Sequence, residues 1–332
     1  MVRITYFLRK RRAGANYSLE QIFSDLAHRF SNEYSVNEQV LPFVSSGVLK
    51  RLMNVFFAPF KQGDINHVTG DINYVALLLQ KRKTISTILD LGILHRTVGV
   101  KTKVLLDVWF KWPIERSKWV TVISEATKQD VLKNIDCDPE KIKVIYVPIS
   151  KSFKRADKSF NKECPVILQI GGALNKNLKG LIAAAKGISC KLLIIGKISE
   201  CNLHLLQDSE IEYENKVGIP FEEIIESYIS ADILFFASTF EGFGMPILEA
   251  QAIGRPVITS NILSMPEVGG GAAIYVDPLD IAEIKNTLIK LIDDTMLRED
   301  LVEKGFENVK RFDSEKIALQ YQALYKDILQ TT

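Results

Sequence analysis

Ala231-Asp-Ile-Leu-Phe-Phe-Ala-Ser-Thr-Phe-Glu-Gly-Phe-Gly-Met-Pro-Ile-Leu-Glu-Ala-Gln-Ala-Ile-Gly-Arg-Pro256 decides the fold. Ile233 to Ala237 is a short apolar run suited to a strand buried on both faces. Pro246 to Ile253 reads as a helix with proline at its first position and Gly254 just past its end. Between them lies Glu241-Gly-Phe-Gly244. A strand, a glycine turn and a helix start bring unpaired backbone N–H groups and the positive end of a helix dipole to the carboxyl edge of a sheet, where phosphates bind. The stretch reads as a seat for a diphosphate.

Two carboxylates flank that seat, Glu241 in the loop and Glu249 in the helix. A carboxylate repels phosphate but accepts hydrogen bonds from hydroxyls, so a sugar on one side of the diphosphate and a ribose on the other suit the pair. The structural alternative is that Glu249 only complements the helix dipole and Glu241 is a solvated loop charge.

The run Phe240-Glu-Gly-Phe-Gly-Met-Pro-Ile-Leu-Glu-Ala-Gln-Ala-Ile-Gly-Arg-Pro-Val-Ile-Thr-Ser260 resembles the donor-binding signature of glycosyltransferase family 4, the retaining group 1 glycosyltransferases of GT-B fold. The match continues through Ser264-Met-Pro-Glu-Val-Gly-Gly-Gly-Ala-Ala273 and Val276-Asp-Pro278, covering most of the second half of the chain. The resemblance implies an α/β protein of two Rossmann-like domains whose parallel sheets face a central cleft. It places a nucleotide sugar on the second domain, contacted by Phe243, Gly244, Met245, Pro246, Leu248 and Glu249, and an acceptor on the first. Val217, in Asn215-Lys-Val-Gly218, would lie beside the nucleobase.

Length and composition agree with two ordinary domains. The chain has 332 residues, 47% hydrophobic and 25% charged, and no apolar run approaches the ~18 residues of a membrane span. Cys137, Cys164, Cys190 and Cys201 are scattered without metal or redox spacing, as expected of reduced thiols in a cytosolic protein. The net charge of +2 conceals an asymmetry. Residues 1–150 carry 22 Lys and Arg against 14 Asp and Glu, a balance of +8, which leaves −6 for the remainder. A basic first half suits an anionic surface or substrate. Anionic lipid is the more natural partner, because no nucleic-acid-binding motif appears.

The first domain is expected over residues 1–150. Ile4 to Leu8 opens it as a strand, followed by the basic loop Arg9 to Tyr17 and a helix from Ser18 with capping-box spacing to Gln21. Gly14 in that loop permits close approach to a ligand, while the arginines fit a solvated loop equally well. Gly47 to Phe60, with Lys50, Arg51 and Lys61 among bulky apolar residues, reads either as an interfacial helix or as a core helix. The cluster of Trp109, Lys111, Trp112, Lys118 and Trp119 extends such an interfacial face. Two strand-to-loop junctions follow β-type runs, at Asn66 to Asp71 and at Lys83 to His95. The second resembles the family's Thr-x-His-Asp, but Leu89 stands where the histidine would be. Asp90 is retained as an acceptor-side catalytic candidate. His67 and His95 are substitutes for the histidine or, more simply, neutral structural residues.

A charged, aperiodic segment, 151–164, is expected to be a linker, with the second domain over 165–313 and a final helix, 314–332, returning to the first domain. The second domain restarts with a strand from Val166 to Ile170 and Gly171-Gly-Ala-Leu-Asn-Lys176. Lys176 is well placed as a point charge for a diphosphate leaving group, close to Gly171 and Gly172. The family often carries a second cation at the position of Gly172. No Asp-x-Asp is placed to suggest a bound divalent ion, and neither a P-loop nor a Gly-x-Gly-x-x-Gly after a strand supports kinase or dehydrogenase chemistry. The expectation is a cytoplasmic, membrane-peripheral, metal-independent retaining glycosyltransferase without a cofactor, with Lys176, Glu241 and Asp90 as catalytic residues. The donor is a UDP- or GDP-sugar, and the acceptor a glycan or lipid-linked glycan of cell-surface polysaccharide. A nucleotide-sugar epimerase of the same fold and a non-catalytic nucleotide-sugar-binding protein are the alternatives.

Overall fold

The computed structural model of the chain describes residues 1–10, 18–95 and 99–331. It divides into two compact units, residues 1–148 with 313–332 and residues 149–312.

Unit 1 runs β1 (Val2–Leu8), α1 (Ser18–Ala27), β2 (Tyr34–Val40), α2 (Val48–Phe57), β3 (Ile65–Thr69), β4 (Thr84–Ile88), α3 (Val100–Leu106), α4 (Trp112–Glu115), β5 (Trp119–Val122), α5 (Glu125–Asn134) and β6 (Ile142–Val144). Its six strands are parallel in the order β2-β1-β3-β4-β5-β6. β3 and β4 are five residues each and wholly buried, as central strands covered by helices on both faces must be. Their polar members are paired: Ser86 with Ser117 at 2.8 Å, and Thr87 with Thr121 at 2.7 Å.

Unit 2 repeats the alternation with β7 (Val166–Ile170), α6 (Leu178–Ala185), β8 (Lys191–Ile195), α7 (Glu200–Gln207), β9 (Glu212–Lys216), α8 (Phe221–Ser230), β10 (Ile233–Phe236), α9 (Met245–Ile253), β11 (Val257–Ser260), α10 (Met265–Gly269), β12 (Ile274–Val276), α11 (Ile281–Asp293) and α12 (Thr295–Val309). The strands are parallel in the order β12-β11-β10-β7-β8-β9, with Ile233 beside Ile167 in register. The core lies between this sheet and helices α6 and α11, around Ile167, Ile194, Phe235, Leu181 and Leu288.

The last helix, α13 (Ser314–Thr331), belongs to unit 1. Its Ile317, Tyr321, Tyr325 and Ile328 join Ile4, Tyr6, Phe23 and Leu26 in one core. Its Tyr325 hydroxyl lies 2.8 Å from Nδ1 of His67 and 3.0 Å from the Tyr6 hydroxyl, while His67 Nε2 meets Thr87 Oγ1 at 2.7 Å. Burial holds the His67 pKa down at about 3, so this histidine is a neutral structural residue. Residues 151–164 have no regular secondary structure but are held on unit 2. Phe153 packs edge-on between Phe221 and Tyr228, and the Ala156 amide donates to the Ile253 carbonyl. The side chains of Ser18, Gln21 and His95, and all of Gly14, lie outside the described residues. Among the described residues no helix is long and apolar enough to cross a membrane. The architecture is α/β, with two parallel six-stranded sheets.

Candidate functional site

In unit 2 the strand order reverses between β7 and β10: β8 follows on one side and β11 on the other. Ligands of open parallel sheets bind at such a switch point, outside the carboxyl ends of the strands. The two loops leaving those ends carry Gly171, Gly172 and Lys176, and Glu241, Phe243 and Gly244, of the sequence candidates, with Met245, Pro246, Leu248 and Glu249 on the helix that follows the second.

The first loop folds back on itself. Gln169, fully buried in β7, donates from Nε2 to the carbonyls of Gly171 (3.2 Å) and Lys176 (2.8 Å), clasping both ends. Gly171 adopts φ +91°, and a Cβ there would come within 2.9 Å of Lys176 Cγ. At Gly172 a Cβ would lie 2.3 Å from the Lys197 carbonyl oxygen, so the backbone itself excludes a side chain where the resembled family often has its second cation. Lys176 is left as the loop's cation. It crosses to the second loop, its Nζ 2.6 Å from Glu241 Oε1 and 4.7 Å above the Phe236 ring.

The second loop is secured from outside. Asn175 donates to the Phe240 carbonyl at 2.9 Å, and Thr239 returns an amide hydrogen bond to the Asn175 carbonyl at 2.8 Å. Ser264 donates to the Phe243 carbonyl at 2.8 Å. Gly244, at φ +110°, turns the chain into α9, which begins at Met245. Pro246 has no N–H, and the Ile247 amide donates to the Gly244 carbonyl at 3.0 Å, as a first helical turn requires. The Phe243 and Leu248 side chains are buried; Phe243 packs edge-on against Phe312. What these two offer a ligand is therefore backbone. Val217, just past β9, is exposed.

Glu249 lies one turn into α9, where Tyr228 of α8 donates to its Oε2 at 2.5 Å. Burial raises its pKa to about 7, against the lowering effects of that hydrogen bond and of Lys176. Tyr228, Gln169, Asn175 and Ser264 were not legible as site residues. Tyr228, Asn175 and Ser264 act through contacts distant in sequence, Gln169 reaches two and seven residues ahead from a strand position that reads as core, and Tyr228 sits in α8 at a position indistinguishable from core.

Unit 1 has its own switch point, between β1 and β3. Arg9, at the end of β1, is not a solvated loop charge. Its Nε pairs with Glu20 and its Nη1 with Asp71, both at 2.6 Å. Asp71 follows Gly70 in a left-handed turn, with φ values of +33° and +81°. The Asp71 side chain is half exposed, with the Arg9 guanidinium against it. Beside this pair lies a cavity of about 530 Å³ that also takes in Lys10, Arg51, Asn73 and Asp90. Among the described residues the buried Asn73 Oδ1 has no hydrogen-bond partner. Asp90 accepts the Gly92 amide at 2.7 Å and is otherwise exposed, while Leu89 also lines the cavity and covers Gly70. Among the described residues no group of three or more His, Cys, Asp or Glu is arranged to hold a metal ion.

Residues 150–308 match the family model "Glycosyl transferases group 1". Among curated proteins, the chain is 36% identical over 108 residues to O-antigen chain mannosyltransferase B of Escherichia coli, covering 32% of this chain and 28% of that one. It is 32% identical over 187 residues to the O-antigen chain mannosyltransferase RfbU of Salmonella typhimurium, covering 54% and 52% respectively. The chain thus spans about half the length of these relatives or less. Among solved structures, a sucrose-phosphate synthase from Thermosynechococcus elongatus superposes with a TM-score of 0.80 at 17% identity over the whole of both chains. HepE of Anabaena, solved with UDP and glucose, superposes at 0.76 and 15% identity over 98% of this chain and all of that one.

Proposed function

We propose that the protein is a retaining glycosyltransferase that moves a sugar from a UDP- or GDP-sugar to a glycan or lipid-linked acceptor of cell-surface polysaccharide. The observation that carries this is the Lys176–Glu241 ion pair at the β7/β10 switch point, beside the start of α9. The two halves of the pair suit the two ends of one substrate, since a cation serves a diphosphate and a carboxylate serves sugar hydroxyls. Donor binding would draw Lys176 onto the diphosphate and free Glu241 for the sugar, with Glu249 accepting from the ribose. Gly171, Gly172, Gly244, Met245 and Pro246 form the backbone cradle, Phe243 and Leu248 contribute through their main chain, and Val217 borders the base.

In the transfer step the bond from the anomeric carbon to the diphosphate oxygen breaks, its electron pair leaving with the diphosphate. Lys176 and the amides at Gly244 and Met245 take up that charge without requiring a divalent ion. The acceptor hydroxyl adds to the same face of the sugar and passes its proton to the departing phosphate oxygen, which retains the anomeric configuration. Unit 1 binds the acceptor beside Asp71 and Asp90. The working location is cytoplasmic, at the inner face of an anionic membrane, where the basic residues of unit 1 find their counter-charge.

The test is kinetic. Lys176→Ala and Glu241→Ala should each lower turnover of the preferred nucleotide sugar by ~10² or more while the far-UV circular dichroism is unchanged. Near-normal rates in both variants would remove the assignment.

A further inference from the structure

Helix α2 is turned inside out. Its inward side carries Asn54, whose Nδ2 donates to the Phe43 carbonyl (2.9 Å) and the Tyr74 hydroxyl (3.3 Å) and whose Oδ1 accepts the Phe43 amide (3.1 Å). Val55 is buried beside it, and Arg51 is half-buried with its guanidinium 4.4 Å over the Trp109 ring. Outward stand Val48 (73% exposed), Leu49 (72%), Leu52, Met53 and Phe56 (62%), at positions i, i+1, i+4, i+5 and i+8 of one face. Phe60, just beyond the helix, is 85% exposed. A surface helix ordinarily presents the opposite arrangement, and contiguous exposed apolar side chains of this size mark an interaction surface.

Charge selects the occupant. From Gln39 to Gly63 there is no Asp or Glu, while Lys50, Arg51 and Lys61 lie within that span. Lys50 and Lys61 are exposed. An apolar strip accompanied by cations and free of acids fits the headgroup and acyl boundary of an anionic bilayer. A second copy of the chain docked on the same face by two-fold symmetry would bring lysine against lysine. We propose that unit 1 docks on an anionic bilayer by lying α2 and the Phe60 turn in its surface, with Leu49, Leu52, Met53, Phe56 and Phe60 inserted and Lys50 and Lys61 on the headgroups. This gives a definite face to the peripheral location proposed above, and it stands or falls independently of the transfer reaction. The acceptor cavity shares Arg51 with this helix, so docking carries the cavity to the membrane surface. The tryptophan cluster does not extend the face as a whole. Trp109 packs inward against Tyr74, and Trp119 donates from Nε1 to Asp327 of α13 at 2.7 Å; Trp112 is exposed.

The experiment is co-sedimentation of the full chain, without substrate, with phosphatidylcholine vesicles and with vesicles containing phosphatidylglycerol. The wild type should sediment with the anionic vesicles, and added salt should weaken the association. Lys50→Gln and Lys61→Gln should each weaken it about fivefold. Leu52→Glu with Phe56→Glu should abolish it, while melting as the wild type does, because both side chains are already in solvent. The proposal is overturned if the wild type stays in the supernatant with both vesicles, or if the double variant binds as tightly as the wild type. A concentration-dependent dimer in sedimentation velocity that Phe56→Glu dissociates would assign the face to a second copy and equally overturn it. Vesicle binding in a protein that turns over no nucleotide sugar would leave the docking intact and remove the transferase.

Discussion

Lys176 and Glu241 neutralise each other at 2.6 Å, and each is the other's competitor for substrate. Lys176→Ala therefore does more than remove a cation: it leaves Glu241 near a bound diphosphate as an uncompensated like charge. Its loss should exceed that of Lys176→Arg in donor affinity, which titration calorimetry measures. Glu249 makes a pH prediction. Its pKa of about 7 means that it is protonated below neutrality and ionised above. Ribose hydroxyls donate to the ionised form, so binding releases the proton and donor affinity should rise from pH 6 to pH 8 before levelling off. In Glu249→Gln that rise should vanish, as seen in dissociation constants across the range. An unchanged pH profile in the glutamine variant would assign the titration elsewhere.

At the level of elements, much was legible because the signals were local. The apolar run before Ser238 and the Pro246 and Gly254 punctuation of α9 are properties of consecutive residues, and the structure differs in ending the strand at Phe236 and starting the helix at Met245. The clamps on the loops were not legible, because Asn175 and Ser264 act across the sheet edge and Gln169 occupies a strand position that reads as core. In unit 1, the Arg9–Asp71 pair joins residues 62 positions apart. The inverted α2 could not be resolved either, since a hydrophobic pattern reports that a face is apolar and not which way it points. Ser264→Ala tests the clamps. Losing its bond to the Phe243 carbonyl should cost about 1 kcal/mol of stability in urea titration and raise the donor KM, with the loop less firmly held. Gly172→Ala should cost more, about 1–3 kcal/mol, because the added methyl meets backbone at Lys197 and not a side chain that can swing away. A neutral Gly172→Ala would mean that the loop relaxes freely and that the missing second cation needs another explanation.

For the whole molecule, the same parallel architecture occurs twice, and each copy carries its polar cluster at its own switch point: Lys176 and Glu241 in one, Arg9 and Asp71 in the other. The basic balance of the first half and the acidic balance of the second were countable from composition, whereas the pairing of Arg9 that removes it from the free charge was not. With Lys176 and helix-end amides as the neutralising groups, turnover should survive exhaustive EDTA treatment, and full loss restored by a divalent ion would contradict that division of labour. The most direct measurement is titration calorimetry of UDP, GDP and ADP against uridine, guanosine and adenosine, on the wild type and on Lys176→Ala. One diphosphate should bind far more tightly than its nucleoside, and the variant should lose about tenfold or more of that difference while binding the nucleoside unchanged. If no nucleoside diphosphate binds, or if Lys176→Ala binds it as tightly as the wild type, the β7/β10 edge is not the seat of a nucleotide sugar.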